Sequence, residues 1–125
     1  MGFIKSFFSD QADTLTTSRL AYDSYNLVAQ VALINLDARS IWIKGEIERI
    51  AKETFKKNST NNFSSIDKYT WAILLLHSIN ILAQEEKDSV TEKSSYDGIC
   101  KLIQSNSLEI DENIQVWLQK TYECT

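Results

Sequence analysis

Proline is absent from this 125-residue chain, and glycine occurs only at Gly2, Gly45 and Gly98. These are residue types that turns and strand ends usually recruit. The alternation of apolar and polar residues that marks a half-buried strand is also missing, whereas the 3.6-residue period of a helix recurs. We therefore predict an all-α fold: a compact single-domain bundle of about five helices over residues 1–125, a length typical of one domain.

The scarcity of glycine, histidine and cysteine excludes several kinds of site. Three isolated glycines cannot form a phosphate-binding loop, and the one histidine, His77, cannot supply the two Glu-x-x-His motifs of a di-iron bundle. Cys100 and Cys124 lack the Cys-x-x-Cys spacing of zinc sites. We expect no catalytic residue set, no metal and no cofactor, and predict that the protein is not an enzyme.

Long apolar runs are missing as well, since no segment approaches the ~18 apolar residues of a membrane span. The first residues are apolar too briefly for a signal peptide. Two cysteines far apart in sequence fit a reducing compartment better than a secreted protein. We predict unpaired thiols and a cytoplasmic protein without stable membrane insertion. Residues 1–10 should form a short amphipathic turn whose phenylalanines fold over one end of the bundle.

The helical periods place the main elements. A first helix should run from about Asp13 to Asn35 and a second from about 38 to Lys57, although one long bent helix is an alternative. Ser64 and Asp67 have the spacing of a capping box for a third helix ending near Glu86. A charged loop over residues 85–94 should follow. Ser94 then opens a short helix, and Asp111 caps the last one.

The third helix has one solid apolar arc and one mixed arc. The solid arc belongs to a core that we predict from the apolar stripes of all five helices: Val28, Val31, Ile47, Ile50, Trp71, Leu75, Ile79, Leu82, Ile103 and Trp117. The mixed arc places Ile73, Leu74 and Ile81 among polar residues that include His77. A solvent-exposed face would not usually carry three large aliphatic side chains, so we expect this arc to bind a partner.

Charge is distributed unevenly along the chain. The net charge of −4 divides into +1 up to Lys57 and −5 from Asn58 onward. Nucleic-acid binding requires a basic face, so we expect no nucleic-acid partner. Glu85, Glu86, Asp88 and Glu92 form an acidic cluster, which is either a solvated loop or a docking surface for a basic protein.

These observations favour a non-catalytic protein–protein interaction module. Its concrete form would be an acidic inhibitor or immunity-type protein that blocks a basic partner. The alternative is a homo-oligomeric structural or regulatory module of phage or mobile-element type, and a small helical enzyme using His77 is a third, less favoured reading. Trp42 and Arg49 belong to residue types that often anchor interfaces, although Trp42 could equally pack on the preceding helix. The candidate partner-binding residues are Ile73, Leu74, His77, Ile81, Glu85, Glu86, Asp88, Glu92, Trp42 and Arg49.

Overall fold

The computed structural model of the protein describes residues 14–32, 34, 41–105 and 110–124, with side chains from residue 19 in the first helix and from residue 45 in the second. These residues form five α-helices and one short 3-10 turn, and no strand occurs among them. The prediction of an all-α bundle of about five helices is confirmed. The helices are α1 (Thr14–Val31), α2 (Ile41–Asn58), α3 (Lys68–Glu85), α4 (Ser89–Ser105) and α5 (Glu112–Thr121), and the 3-10 turn covers Phe63–Ser65.

Helix α3 lies at the centre of the bundle. It contacts α1, α2 and α4, and its residues 71–80 are all buried. The prediction that Ile73 and Leu74 lie on a partner-binding surface is therefore wrong, because both side chains are 0% exposed. A helical wheel expects one face of a helix to be buried and the other to meet solvent. Here α1, α2 and α4 surround α3, so its second face is covered as well. The apolar girth of α3 is hidden within the protein and does not indicate a partner.

Half of the predicted core is fully buried. Among the ten predicted residues, Val28, Ile47, Trp71, Leu75 and Ile79 are buried. The other five are only half-buried: Val31, Ile50, Leu82, Ile103 and Trp117. The predicted core list also leaves out buried residues of the second, fourth and fifth helices. Ile99, Ile114 and Leu118 lie on the apolar faces that the helical period predicts for the last two helices, whereas Ala51 and Phe55 of α2 were not selected. Three of the four predicted core residues on α3 are buried, whereas the predicted residues on α4 and α5, Ile103 and Trp117, are only half-buried.

The first two helices are separate. Helix α1 ends at Val31, and the amide of Ile34 donates to the carbonyl of Ala32 at 2.8 Å, a contact outside the α-helical pattern. The chain has therefore left the helix before α2 begins at Ile41. Residues 35–40, where the second helix was predicted to begin, lie outside the described residues, as do residues 1–10 with their predicted turn.

Aspartates cap the third and the last helix. The carboxylate of Asp111 accepts from the amide of Asn113 at 2.8 Å, so the predicted cap of the last helix is confirmed. Asp67 caps α3 directly by accepting from the amide of Thr70 at 2.7 Å. The predicted Ser64–Asp67 capping box is wrong, since Ser64 lies in the 3-10 turn before α3.

The connection from α3 to α4 is a tight turn and not a long loop. The amides of Lys87 and Asp88 donate to the carbonyls of Gln84 (3.2 Å) and Ala83 (2.9 Å), with Lys87 at φ 57°. This is the Schellman arrangement, which usually places glycine at the left-handed position. Asp88 then accepts from the amide and hydroxyl of Thr91 at 3.1 and 2.7 Å. The predicted loop over residues 85–94, with Ser94 as a cap, is therefore wrong.

Gly98 permits the close packing of α4 against its neighbours. A Cβ atom at this position would lie 3.1 Å from the Ala32 side chain, 3.2 Å from Leu76 and 3.3 Å from Val31. These contacts are tighter than van der Waals packing and come from two different helices. Gly45 in α2 offers a contrast, because a Cβ there would meet nothing within 4 Å.

We therefore expect opposite effects of alanine at the two helical glycines. Gly45→Ala should raise the free energy of unfolding by about 0.5–1 kcal/mol, because alanine favours the helix. Gly98→Ala should lower it by about 1 kcal/mol or more, since overpacking outweighs that gain. Chemical denaturation of both variants provides the measurement. Equal stabilisation by the two substitutions would contradict the close approach of α4 to α1 and α3.

Candidate functional site

A groove of about 690 Å³ runs between α3, α4 and the residues that follow α5. It brings together three of the predicted binding residues, His77, Ile81 and Glu92. The side chains around it are mostly polar or aromatic. Helix α3 contributes His77, Asn80, Ile81 and Gln84, and helix α4 contributes Ser89, Glu92, Lys93, Tyr96 and Asp97. The last residue of α5, Thr121, and Tyr122 after it complete the lining.

His77 lies in the wall of this groove with 9% of its surface exposed. Its Nδ1 atom is 2.6 Å from the hydroxyl of Tyr122, and its ring packs against that of Trp117 in a T-shaped arrangement with 4.6 Å between the ring centroids. Burial lowers the pKa of His77 from 6.5 to about 4. The imidazole is therefore neutral at neutral pH, with its partners supplied by α5 and the chain that follows it.

Asn80, one turn further along α3, does not bond to His77. Its amide nitrogen donates to the carbonyl of Glu92 at 2.9 Å and to the hydroxyl of Ser95 at 3.0 Å. Its amide oxygen accepts from Gln84 at 2.6 Å. This network joins the middle of α3 to the first turns of α4. A buried amide with all of these bonds fixes the spacing of the two helices that form the groove.

Residues 122–124, here called the strap, follow α5, and the first of them, Tyr122, lines one side of the groove. Tyr122 is 6% exposed, and burial, followed by the nearby Tyr96, raises its pKa above the ordinary value of 10.0. The hydroxyl of Tyr96 donates to the carbonyl of Glu123 at 3.0 Å and accepts from its amide at 3.2 Å. The strap is thus tied to α3 through His77 and to α4 through Tyr96.

A disulfide joins the strap to α4. Cys124 in the strap is bonded to Cys100 in α4, with 5.1 Å between their Cα atoms. The prediction of unpaired thiols is therefore wrong. The two cysteines are 24 positions apart, and α5 lies between them in the chain. The cytoplasmic location was predicted from unpaired cysteines. Because disulfides persist mainly in oxidising compartments, the disulfide removes that argument.

The four residues of the predicted acidic cluster lie in different surroundings. Glu92 lines the groove, whereas Glu85 and Glu86 are exposed at the end of α3, just beyond the lining residue Gln84. Asp88 is engaged in capping α4. Asp97, which sequence reasoning did not select, also lines the groove and lies 3.8 Å from Lys93. Its one local signal in the sequence is the i, i+4 spacing from Lys93, since five residues of helix separate it from Glu92 by about 140° around the axis.

Arg49 lies on α2 and does not line the groove. Its exposed guanidinium pairs with Glu46 at 2.7 Å and with Glu53 at 3.0 Å. The hydrogen bond from Arg49 lowers the pKa of Glu46. These contacts form a stripe along one exposed face of α2, where ion pairs add little stability. The side chain of Trp42, the other predicted anchor, lies outside the described residues.

Another polar contact that the sequence did not reveal joins α1 to α2. The phenol of Tyr25 donates to the carboxylate of Glu48, which is only 2% exposed. Burial, then the charge of Glu48, raises the pKa of Tyr25. On the wheel of α2, Glu48 lies next to the buried residues Ala51 and Phe55. This pair belongs to the interior of the bundle and not to the groove.

Comparison of the chain with protein-family models, curated proteins and solved structures finds no match. Across the described ranges, no cluster of three or more histidine, cysteine, aspartate or glutamate residues could hold a metal ion. No helix in the described part of the chain is long and apolar enough to cross a membrane.

The low pKa of His77 makes the stability of the protein depend on pH. The unfolded chain takes up a proton near pH 6.5 and the folded protein only near pH 4. The stabilisation is complete above pH 6.5 and is lost as the pH falls towards 4, by up to about 1.4 kcal/mol per pH unit. His77→Gln removes this contribution while the carboxylates still titrate. Urea unfolding between pH 7 and 4 should therefore show a shallower decline for the variant, and identical declines would contradict the burial of His77.

Proposed function

We propose that this protein is a non-catalytic interaction protein that binds a basic protein partner in the groove between α3 and α4. An inhibitor or immunity-type protein is the concrete form of this function. The observation that carries the proposal is the presence of Glu92 and Asp97 in a groove whose lining also offers Ile81 and Tyr96. Acidic groups speed the encounter with a basic partner, and buried aromatic or aliphatic contacts supply the affinity.

The charge around the groove supports a basic partner. Residues 85–97 contain five acids and two lysines, and one of the lysines, Lys93, is paired with Asp97. The exposed residues Glu85 and Glu86 lie at the end of α3, next to the lining residue Gln84. An arginine side chain entering this region would find carboxylates and the ring of Tyr96, on which a guanidinium can stack.

The state of His77 supports binding over catalysis. Its pKa of about 4 leaves it a weak base at neutral pH, and its Nδ1 atom is already bonded to Tyr122. General bases are most effective when their pKa lies near the working pH. We therefore propose that the protein is not an enzyme and that His77 shapes the wall of the groove.

The location of the protein is part of this proposal. A chain with the Cys100–Cys124 disulfide closed fits an oxidising compartment. The cytoplasm predicted from the sequence would instead hold both thiols reduced. Alkylation of thiols in intact cells, followed by mass spectrometry of the protein, distinguishes the two states.

Titration of the isotope-labelled oxidised protein with a short peptide of alternating arginine and serine tests the binding. We expect chemical-shift changes centred on Ile81, Gln84, Tyr96 and the strap. A peptide of alternating glutamate and serine should leave these signals unchanged. The double variant Glu92→Gln/Asp97→Asn should weaken binding by roughly twofold to thirtyfold, since an exposed ion pair contributes about 0.2–1 kcal/mol.

The matched control is Glu53→Gln/Glu112→Gln, which removes the same charge from α2 and from the start of α5, outside the groove. It should leave the affinity within a factor of about two, because these charges act only through the screened field of the protein. Equal weakening by both double variants would reduce the effect to net charge and defeat the assignment of the groove. A stable dimer in sedimentation that ignores the basic peptide would instead favour the homo-oligomeric alternative.

A further inference from the structure

The strap is held along one face of α4. Tyr96, Cys100 and Gln104 lie four residues apart in this helix, which places them on the same side. Tyr96 bonds to the backbone of Glu123, Cys100 forms the disulfide with Cys124, and the side-chain amide of Gln104 donates to the carbonyl of Cys124 at 3.4 Å. The covalent bond lies between two polar contacts in this row.

The strap also supplies the hydrogen-bond partner of His77. Tyr122, its first residue, is bonded to His77 and contacts the rings of Tyr96 and Trp117. The segment is not part of a helix, and α5, which leads into it, has only ten residues. Its first amide, that of Tyr122, still donates to the carbonyl of Leu118 in α5 at 2.8 Å. Beyond that bond, its position against α3 depends on side-chain contacts and on the disulfide at Cys124.

Cys100 and Cys124 are both half-buried, so neither cysteine is enclosed in the core. Accessible disulfides are the ones that thiols attack readily, whereas deeply buried ones resist exchange. We propose that Cys100–Cys124 is a redox clasp that fixes the strap as one wall of the groove, and that its reduction frees Tyr122 from His77. This inference rests on the proposed function only in so far as the strap lines the groove proposed to bind the partner.

The reductant would be a dithiol. One of its thiolates attacks a sulfur of the disulfide and forms a mixed disulfide, and its second thiol then displaces the protein sulfur. Cys100 and Cys124 together gain two electrons and two protons, and the dithiol is oxidised to its own disulfide. The remaining contacts of the strap are then hydrogen bonds and the burial of Tyr122.

Release of the strap changes the surroundings of His77. The titratable and charged groups that line the groove with it are Glu92, Lys93, Tyr96 and Asp97 from α4 and Tyr122 from the strap. With Tyr122 displaced, solvent reaches the imidazole while the two carboxylates of α4 stay in the groove. Both changes favour the protonated imidazole.

The experiment follows the signal of the one histidine by NMR as a function of pH, in the oxidised protein, after treatment with dithiothreitol, and after reoxidation. We expect His77 to titrate about one pH unit or more higher in the reduced protein, with the circular dichroism of the helices retained. Reoxidation should restore the first titration curve. The double variant Cys100→Ser/Cys124→Ser should match the reduced protein and ignore dithiothreitol.

Tyr96→Phe is the matched control, because it removes the hydrogen bonds to Glu123 and keeps the disulfide. It should leave the titration of His77 close to that of the oxidised protein. The same His77 titration in both redox states would overturn the clasp, as would two free thiols in protein purified without reductant. Loss of the helices on reduction would also overturn it, by making the disulfide a requirement for folding.

The clasp and the proposed binding fail separately. The titration of His77 needs no partner, so its outcome does not depend on whether the basic peptide binds. If the peptide binds neither form but His77 titrates higher in the reduced protein, the proposed function fails and the clasp stands. If the peptide binds both forms equally and His77 titrates alike in both, the clasp fails and the binding stands.

Discussion

The enclosure of α3 is the constraint on which the rest of the structure depends. Ten consecutive residues of this helix, 71–80, are buried, and they include the polar residues His77, Ser78 and Asn80. A buried polar group without a partner costs free energy, so each requires one. Ser78 finds its partner within the helix, at the carbonyl of Leu74. His77 and Asn80 need groups from elsewhere, and these groups determine where α4 and the strap lie.

The groove follows from these two requirements. Asn80 holds the first turns of α4 through Glu92 and Ser95, and His77 holds the strap through Tyr122. Two elements fixed to neighbouring turns of one helix leave a space between them, and Ile81 and Gln84 face that space from the next turn. Binding in this groove would therefore use side chains whose positions the core already fixes. The disulfide holds the strap, the non-helical side of the groove, by a covalent bond to α4.

Much of this fold could be predicted from the sequence, because helical periods and aspartate caps are local signals. Asp111 was identified correctly since its pattern lies within a few residues. The start of α4 was missed because Lys87 adopts the left-handed conformation that a glycine usually marks. The burial of Ile73 and Leu74 was missed because a helical wheel does not count the helices around it. The His77–Tyr122 contact spans 45 residues and the disulfide 24, and neither pairing has a local signature.

Native-state hydrogen exchange tests the central position of α3 most directly. If the other helices depend on it, the amides of residues 71–80 should exchange only through global unfolding, with the highest protection in the protein. The amides of α5 and the strap should exchange through smaller, local openings of lower free energy. Protection in α3 that is equal to or below that of α5 would contradict the account.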